Sequence, residues 1–161
     1  MKRMGSKNEL KSIANTQAKN VEKDITTLVD GVGHPRFIEG DGVPLEQEGY
    51  TDVYCKWSLS GTHIMFVVAG NIADTTTITN GASFGVFELP EWIMDKIYPV
   101  FANELEIKVV TTYASDWSSQ DMACDLAKVD GKMKIRLVGG NFTASADRNF
   151  RAQFDLLIDN E

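Results

Sequence analysis

In "ANTQAKNVEKDITTLVDGV", apolar residues fall at Ala14, Ala18, Val21, Ile25, Leu28 and Val32. The steps alternate between four and three, a mean period of about 3.5, which is the seam of a coiled coil. A helix packed on a globular core would show a wider stripe. Here Lys19, Asn20, Glu22, Lys23, Asp24, Thr26 and Thr27 make the flanks polar nearly all round, while Leu10 and Ile13 extend the apolar face upstream with a shift of register. A lone helix with so little to bury is marginal in water. The pattern therefore predicts parallel copies wound together, two or three of them, and the alternative is a helix folded back on its own domain. Gly31, Gly33 and Pro35 end the pattern, because glycine supplies a left-handed cap and proline removes a donor.

After the helix (residues 1–33), residues 34–49 are rich in Gly, Pro and acid and predict a linker or extended arm. From residue 50 to 161 the period changes to two. "YTDVYCKWSLSG" alternates, with Val53, Cys55, Trp57 and Leu59 on one face. "THIMFVVAGNI" is more uniformly apolar, as in a strand covered on both sides. Asn80-Gly81 is a turn signal, and Asp130-Gly131 is the strongest hairpin cue in the chain. Pro90 opens what reads as one helical turn and Pro99 closes it. Seven to nine short strands with frequent turns predict a mainly β head of the sandwich or jelly-roll kind. Trp57 is expected in the core or at a subunit interface, and Trp92 as a lid over one end.

Charge narrows the partners. The chain has 161 residues, a formal net charge of −7 and a pI near 4.8. Such a balance argues against a general nucleic-acid binder, which needs clustered Lys and Arg. No run approaches the ~18 apolar residues of a membrane helix. The opening residues lack the apolar core of a signal peptide, so folding in the cytoplasm of the expressing cell is expected. Two cysteines, Cys55 and Cys124, make no disulfide framework and have no His at metal-ligand spacing; free buried thiols are expected.

Catalytic signatures are sparse. His34 and His63 are the only histidines, with no nucleophile elbow, phosphate loop or dinucleotide fingerprint beside them. Asp116, Asp121 and Asp125 could pair for glycosidic hydrolysis, but proximity among 23 acidic residues is expected by chance. No catalytic residue, metal or cofactor is expected. A binding loop is better marked: in "TTYASDWSSQD", Tyr113 and Trp117 offer flat apolar faces while Asp116, Ser118 and Gln120 offer hydrogen-bonding groups. That mixture suits a sugar, whose ring has an apolar face and equatorial hydroxyls. "NFTASADRN" is a second polar loop, with Asp147 and Arg148. The expected ligand-binding residues are Tyr113, Asp116, Trp117, Gln120, Arg148 and His63.

The order of parts, with "VVAGNIADTTTITNGASFGVFELPEWIMDKIYPVF" and "VDGKMKIRLVGGNFTASADRNFRAQFDLLI" as the head, resembles the receptor-binding proteins of bacteriophage tail tips. It is most similar to the compact baseplate proteins of phages infecting Gram-positive cocci such as lactococci. The resemblance implies a homotrimer on the virion, assembled in the host cytoplasm. It also implies docking to other baseplate or tail proteins through the N-terminal helix, and a host cell-wall saccharide or teichoic-acid-like receptor. No family sugar-binding residue matches individually, so the six residues above come from the loops alone. Three readings remain beside it: a structural fibre or baseplate component that contacts no receptor, a cell-wall hydrolase, and a secreted trimeric β-sandwich module of the complement or tumour-necrosis type.

Overall fold

The computed structural model describes residues 35–159, and the expected coiled coil over 14–32 lies outside them. The described residues fall into two compact units. A small one comprises residues 35–38, Leu59–Thr62 and Asp159; within it the Gly61 N–H donates to the Arg36 carbonyl at 2.6 Å. The large one, Glu39–Ser58 with His63–Ile158, holds most of the sheet.

Eleven strands are described: β1 (Phe37–Asp41), β2 (Val43–Pro44), β3 (Tyr50–Ser60), β4 (His63–Ile72), β5 (Thr77–Ile78), β6 (Ser83–Phe87), β7 (Glu104–Tyr113), β8 (Ser119–Val129), β9 (Lys132–Val138), β10 (Phe142–Thr143) and β11 (Arg148–Leu157). The single short helix among them, α1, is Glu91–Met94. Nine strands form one sheet in the order β1-β3-β4-β11-β7-β8-β9-β6-β2, and β5 pairs with β10 separately. The two outermost strands, β1 and β2, are consecutive in the chain with only Gly42 between them. The sheet therefore wraps until its edges nearly meet, which removes the open edges that invite unwanted pairing. Gly42 sits where they meet: its N–H donates to the Cys55 carbonyl at 2.8 Å, and a Cβ there would come within 2.6 Å of Cys55 Sγ and of the Phe87 ring. The expected sandwich or jelly roll thus takes the form of one nearly closed sheet. Residues 34–49, expected as a linker or extended arm, contribute its two edge strands from Phe37 onward.

Period-two patterning fixes what faces inward. In β9 every second residue is buried (Met133, Ile135, Leu137), and β4 buries Phe66, Val67 and Val68 in succession, as its continuous apolar run predicts. The interior is packed with aromatic rings in tilted contact, Phe66 on Phe87 at 5.3 Å and Phe84 on Phe150 at 5.0 Å between centroids. Such contacts contribute beyond the area they bury. Cys55 and Cys124 are free and buried, and burial pushes both thiols up to about 12. In β3, Cys55 and Trp57 face inward as expected, whereas Val53 does not: Val53 and Tyr54 are both exposed, which shifts the alternation by one residue.

Two local signals have outcomes of different kinds. Asp130 and Gly131 both take positive φ (53° and 74°) and close the β8–β9 hairpin, the geometry that Asp-Gly favours. Asn80-Gly81 also turns the chain, but between strands of different sheets. Its Asn80 N–H donates to Asn141 Oδ1 and its Oδ1 accepts from the Gly140 N–H, so it ties two turns together.

The large unit has a direction. The chain enters it at Glu39, and Gly40 lies against Trp57, where a Cβ would fall 2.6 Å from the indole Nε1. This is the end where His63 pairs with Leu157, here called proximal. The opposite, distal end gathers Tyr50, Asn71, Tyr113 and Asn149.

Candidate functional site

A row of side chains crosses the outer surface of the distal end. Asn71 on β4 pairs with Asn149 on β11, Asn149 pairs with Tyr113 on β7, and Tyr113 pairs with Ser119 on β8. Directly paired residues on one face stand about 5 Å apart, so two primary amides and a phenol stand abreast. Beside this row lies an open depression of about 410 Å³ lined by Val53, Ala69, Thr111, Tyr113, Asn149 and Arg151 among others. Its floor is low on the β4 side, where Ala69 brings no long side chain to fill it. Gly70 has to lack a Cβ, which would fall 2.5 Å from the Tyr50 hydroxyl on the inner side. Past the asparagines the surface dips again, into a cavity of about 470 Å³ lined by Thr51, Asn71, Ser115, Asp147, Arg148 and Asn149. Asn71 and Asn149 line both, so the two depressions form one groove.

The loop after β7 walls this groove. Ala114 N–H donates to Ser118 O, Trp117 N–H to Ala114 O, and Ser118 N–H to Asp116 Oδ1 at 3.0 Å. The Ser118 hydrogen bonds hold the Asp116 carboxyl below the usual carboxylate range. This tight turn puts Trp117 at φ 67°, which costs energy for a bulky residue, and leaves its indole 80% exposed. The indole meets the Tyr113 ring edge-on, with centroids 6.2 Å apart.

Gln120 and Arg148 hold the walls together. Gln120 donates from Nε2 to Thr143 O at 2.9 Å and accepts at Oε1 from both the N–H and the hydroxyl of Ser145. Arg148, only 5% exposed, donates from Nη1 to Ser118 O and from Nη2 to Ser145 Oγ. The third distal loop joins them, since Asp147 Oδ1 accepts from the Asp74 N–H at 2.8 Å. Three loops from distant parts of the chain are thereby cross-linked around the groove.

The six expected ligand-binding residues separate accordingly. Tyr113 lines the groove and Trp117 packs on its ring; Asp116 shapes their turn; Gln120 and Arg148 brace it, Arg148 also lining the deeper cavity. His63 lies elsewhere. It is eight residues from Asn71 along β4, roughly 26 Å for an extended strand, and its Nε2 stands 3.0 Å from Asp155 Oδ1. Asn71, Asn149 and Arg151 line the groove without having been singled out from sequence. Asparagine is depleted in strand interiors, so Asn71 inside "VVAGNI" and Asn149 inside "RNFRAQF" were the available signal. The candidate catalytic carboxylates are otherwise engaged: Asp121 accepts from Thr111 Oγ1, and Asp125 from Arg136 Nε and Nη2 at 3.0 and 2.6 Å.

No family model matches the chain, and no curated protein matches it. Among solved structures it is similar to the fibre head protein of bovine atadenovirus type 4, at 10% identity over 76% of this chain and 99% of that one, with a TM-score of 0.41. It is also similar to a reovirus attachment protein, sigma1, solved in complex with alpha-2,3-sialyllactose, at 12% identity over 78% of this chain and 67% of that one, with a TM-score of 0.36.

Proposed function

We propose that this chain is a viral receptor-binding head of the bacteriophage tail-tip kind, held as a homotrimer, that grips a host-surface saccharide in the distal groove without breaking bonds. The observation that carries the reading is the row Asn71–Asn149–Tyr113 at the groove. Each amide offers a carbonyl acceptor and two N–H donors, which suits vicinal hydroxyls whose donor and acceptor roles alternate. The Tyr113 ring and the exposed Trp117 edge add apolar faces for the C–H side of a sugar ring. A shallow, open groove of this kind gives weak single-site binding, and joining three copies turns weak sites into firm attachment. The 3.5-residue seam at 14–32 supports that grouping. With a net charge of −7, recognition of anionic wall polymers would be short-range and not steered.

The test is attachment of fluorescent full-length protein to bacterial cells, followed by a glycan array. Tyr113→Ala and Asn149→Ala should each weaken binding by about tenfold or more, the equivalent of about 1.4 kcal/mol, with the fold intact by circular dichroism. Attachment unchanged by both substitutions removes the groove from the reading. Failure of the parent protein to bind any cell or glycan leaves the structural-component reading in its place.

A further inference from the structure

The proximal half of β7 and the segment before it carry apolar side chains that the large unit does not use. Tyr98, Val100 and Phe101 are 76%, 85% and 76% exposed, and Ile107 and Val109 are 55% and 70% exposed. They are held outward by ordered structure. Ile93, Met94 and Ile97 anchor the preceding segment in the interior, and Lys128 Nζ donates to the Met94 and Ile97 carbonyls at 2.8 and 3.0 Å. The chain then reverses: Val100 N–H donates to Glu104 O, Glu104 N–H to Phe101 O at 2.7 Å, and Ala102 takes φ 48°. A turn so fixed does not let Tyr98, Val100 and Phe101 fold away. On β7 the exposed apolar positions continue with Ile107 and Val109, flanked by the Asp125–Arg136 ion pair beside Ile107 and by Glu104, which pairs with Ala127 across a shift of register. The two rings alone present on the order of 300 Å². With the aliphatic neighbours this reaches the several hundred Å² that marks an interaction surface.

We infer that this face, Tyr98, Val100, Phe101, Ile107 and Val109, is where copies of the same chain meet. The inference rests on the multi-copy reading above and names the surface that serves it. Two observations select a second copy as occupant. The face belongs to the proximal half of β7: Lys108 Nζ reaches the Gln153 carbonyl at 2.7 Å, so Glu104 and Leu105 lie level with the His63–Leu157 end. The chain enters the unit at this same end, preceded by the one segment whose seam asks for parallel duplicates of itself. The apolar face at the level of chain entry is the surface that copies joined upstream would share.

Sedimentation equilibrium of the full chain at micromolar concentration tests this. The parent should weigh three times the 17.8 kDa chain, and Phe101→Asp combined with Val109→Lys should shift the equilibrium at least about tenfold toward single chains. A near-neutral probe accompanies it: Val109→Cys should be joined between copies by a short bismaleimide, while Glu48→Cys, next to the distal groove, should not. The native thiols, pushed up to about 12 by burial, do not compete. A trimer that keeps its mass with both charges in place, or Val109→Cys that fails to cross-link, overturns the surface and leaves the multi-copy reading standing. A parent that sediments as one chain overturns both.

Discussion

β7 is one strand with two kinds of outward face. Its distal residues, Thr111 and Tyr113, line a groove walled by hydrogen-bonded loops, while its proximal Ile107 and Val109 stand bare. The ends differ in satisfaction as well. Among the described residues, the buried side-chain polar atoms with no partner are the Tyr50 hydroxyl, Asp52 Oδ1 and Arg148 Nε. All three belong to residues of the distal end, the Tyr50 hydroxyl on the inner side of the sheet, Asp52 in the strand whose Thr51 and Val53 line the groove, and Arg148 in its wall; Trp117 with its positive φ lies at the same end. The proximal surface presents apolar groups without comparable unpaired polar atoms. Ligand sites carry strain and unmet hydrogen bonds because their polar groups are arranged for something other than the fold. A surface for self-association needs shape and apolar area alone. If the ends are built for separate tasks, damage to the sheet between them should harm both, and damage at one end should harm only one.

The largest effect should come from the sheet itself. Asp125 on β8 is fully buried, pairs with Ile107 on one side and Arg136 on the other, and takes two hydrogen bonds from that guanidinium. Asp125→Ala leaves a partly buried cation unpaired and should cost about 3 kcal/mol in a urea melt, the low end of the usual range because the Arg136 side chain keeps 28% exposure. Saccharide binding and association should then fail together on heating. Adding Arg136→Leu should recover part of the loss, since a pair replaced by apolar groups is cheaper than a pair broken. Loss of one property without the other in Asp125→Ala would mean the two ends are not carried by a common sheet.

A middle-sized effect should separate them. Gln120→Ala removes three hydrogen bonds between the 143–145 segment and β8. About 2 kcal/mol of local stability should go, seen as faster amide exchange at 114–118 and 143–147. Binding should weaken several-fold while the sedimentation mass stays that of the parent. A change in mass would tie the distal loops to the association surface and dissolve the comparison.

How much of this was legible depends on distance along the chain. The Asp130-Gly131 hairpin, the alternation of β9 and the grouping of Tyr113 and Trp117 in one loop rest on residues within a few positions of each other, and the local pattern shows them. The groove depends on the β4–β11 register, which places Asn71 beside Asn149 from opposite halves of the head; nothing local encodes that. Polar loop residues were read as ligand contacts, yet Gln120 and most of Arg148 are spent on backbone carbonyls, an N–H and a serine hydroxyl. A side chain's hydrogen-bonding capacity is visible in sequence, and who claims it is not. Residues 37–44 escaped as strands because Gly and Pro mask an edge pairing that only closure of the sheet supplies. His63 falls away from the groove for a related reason: the start of a strand reads as a loop end in sequence, and this one lies at the proximal end.

The smallest effect bears on why the distal end is less well satisfied. Asp52 lies in β3 between Thr51 and Val53, which line the groove, and desolvation raises its carboxyl above the ordinary range despite a hydrogen bond from the Tyr54 N–H. A carboxyl whose folded pKa is raised contributes its stability below the unfolded value, near pH 4, and loses it as pH climbs through the folded value. At pH 7 the ionised Asp52 is therefore a liability that a neutral isostere escapes. Asp52→Asn should melt higher than the parent by about 2 °C at pH 7, and the gap should close by about pH 3, where the parent carboxyl is protonated too. A gap that stays constant with pH would place the gain in packing and not in the charge. If the gap closes as expected while Asp52→Asn binds cells less well, the unmet carboxylate oxygen belongs to the binding end's task; unchanged binding would make it a defect the fold merely tolerates.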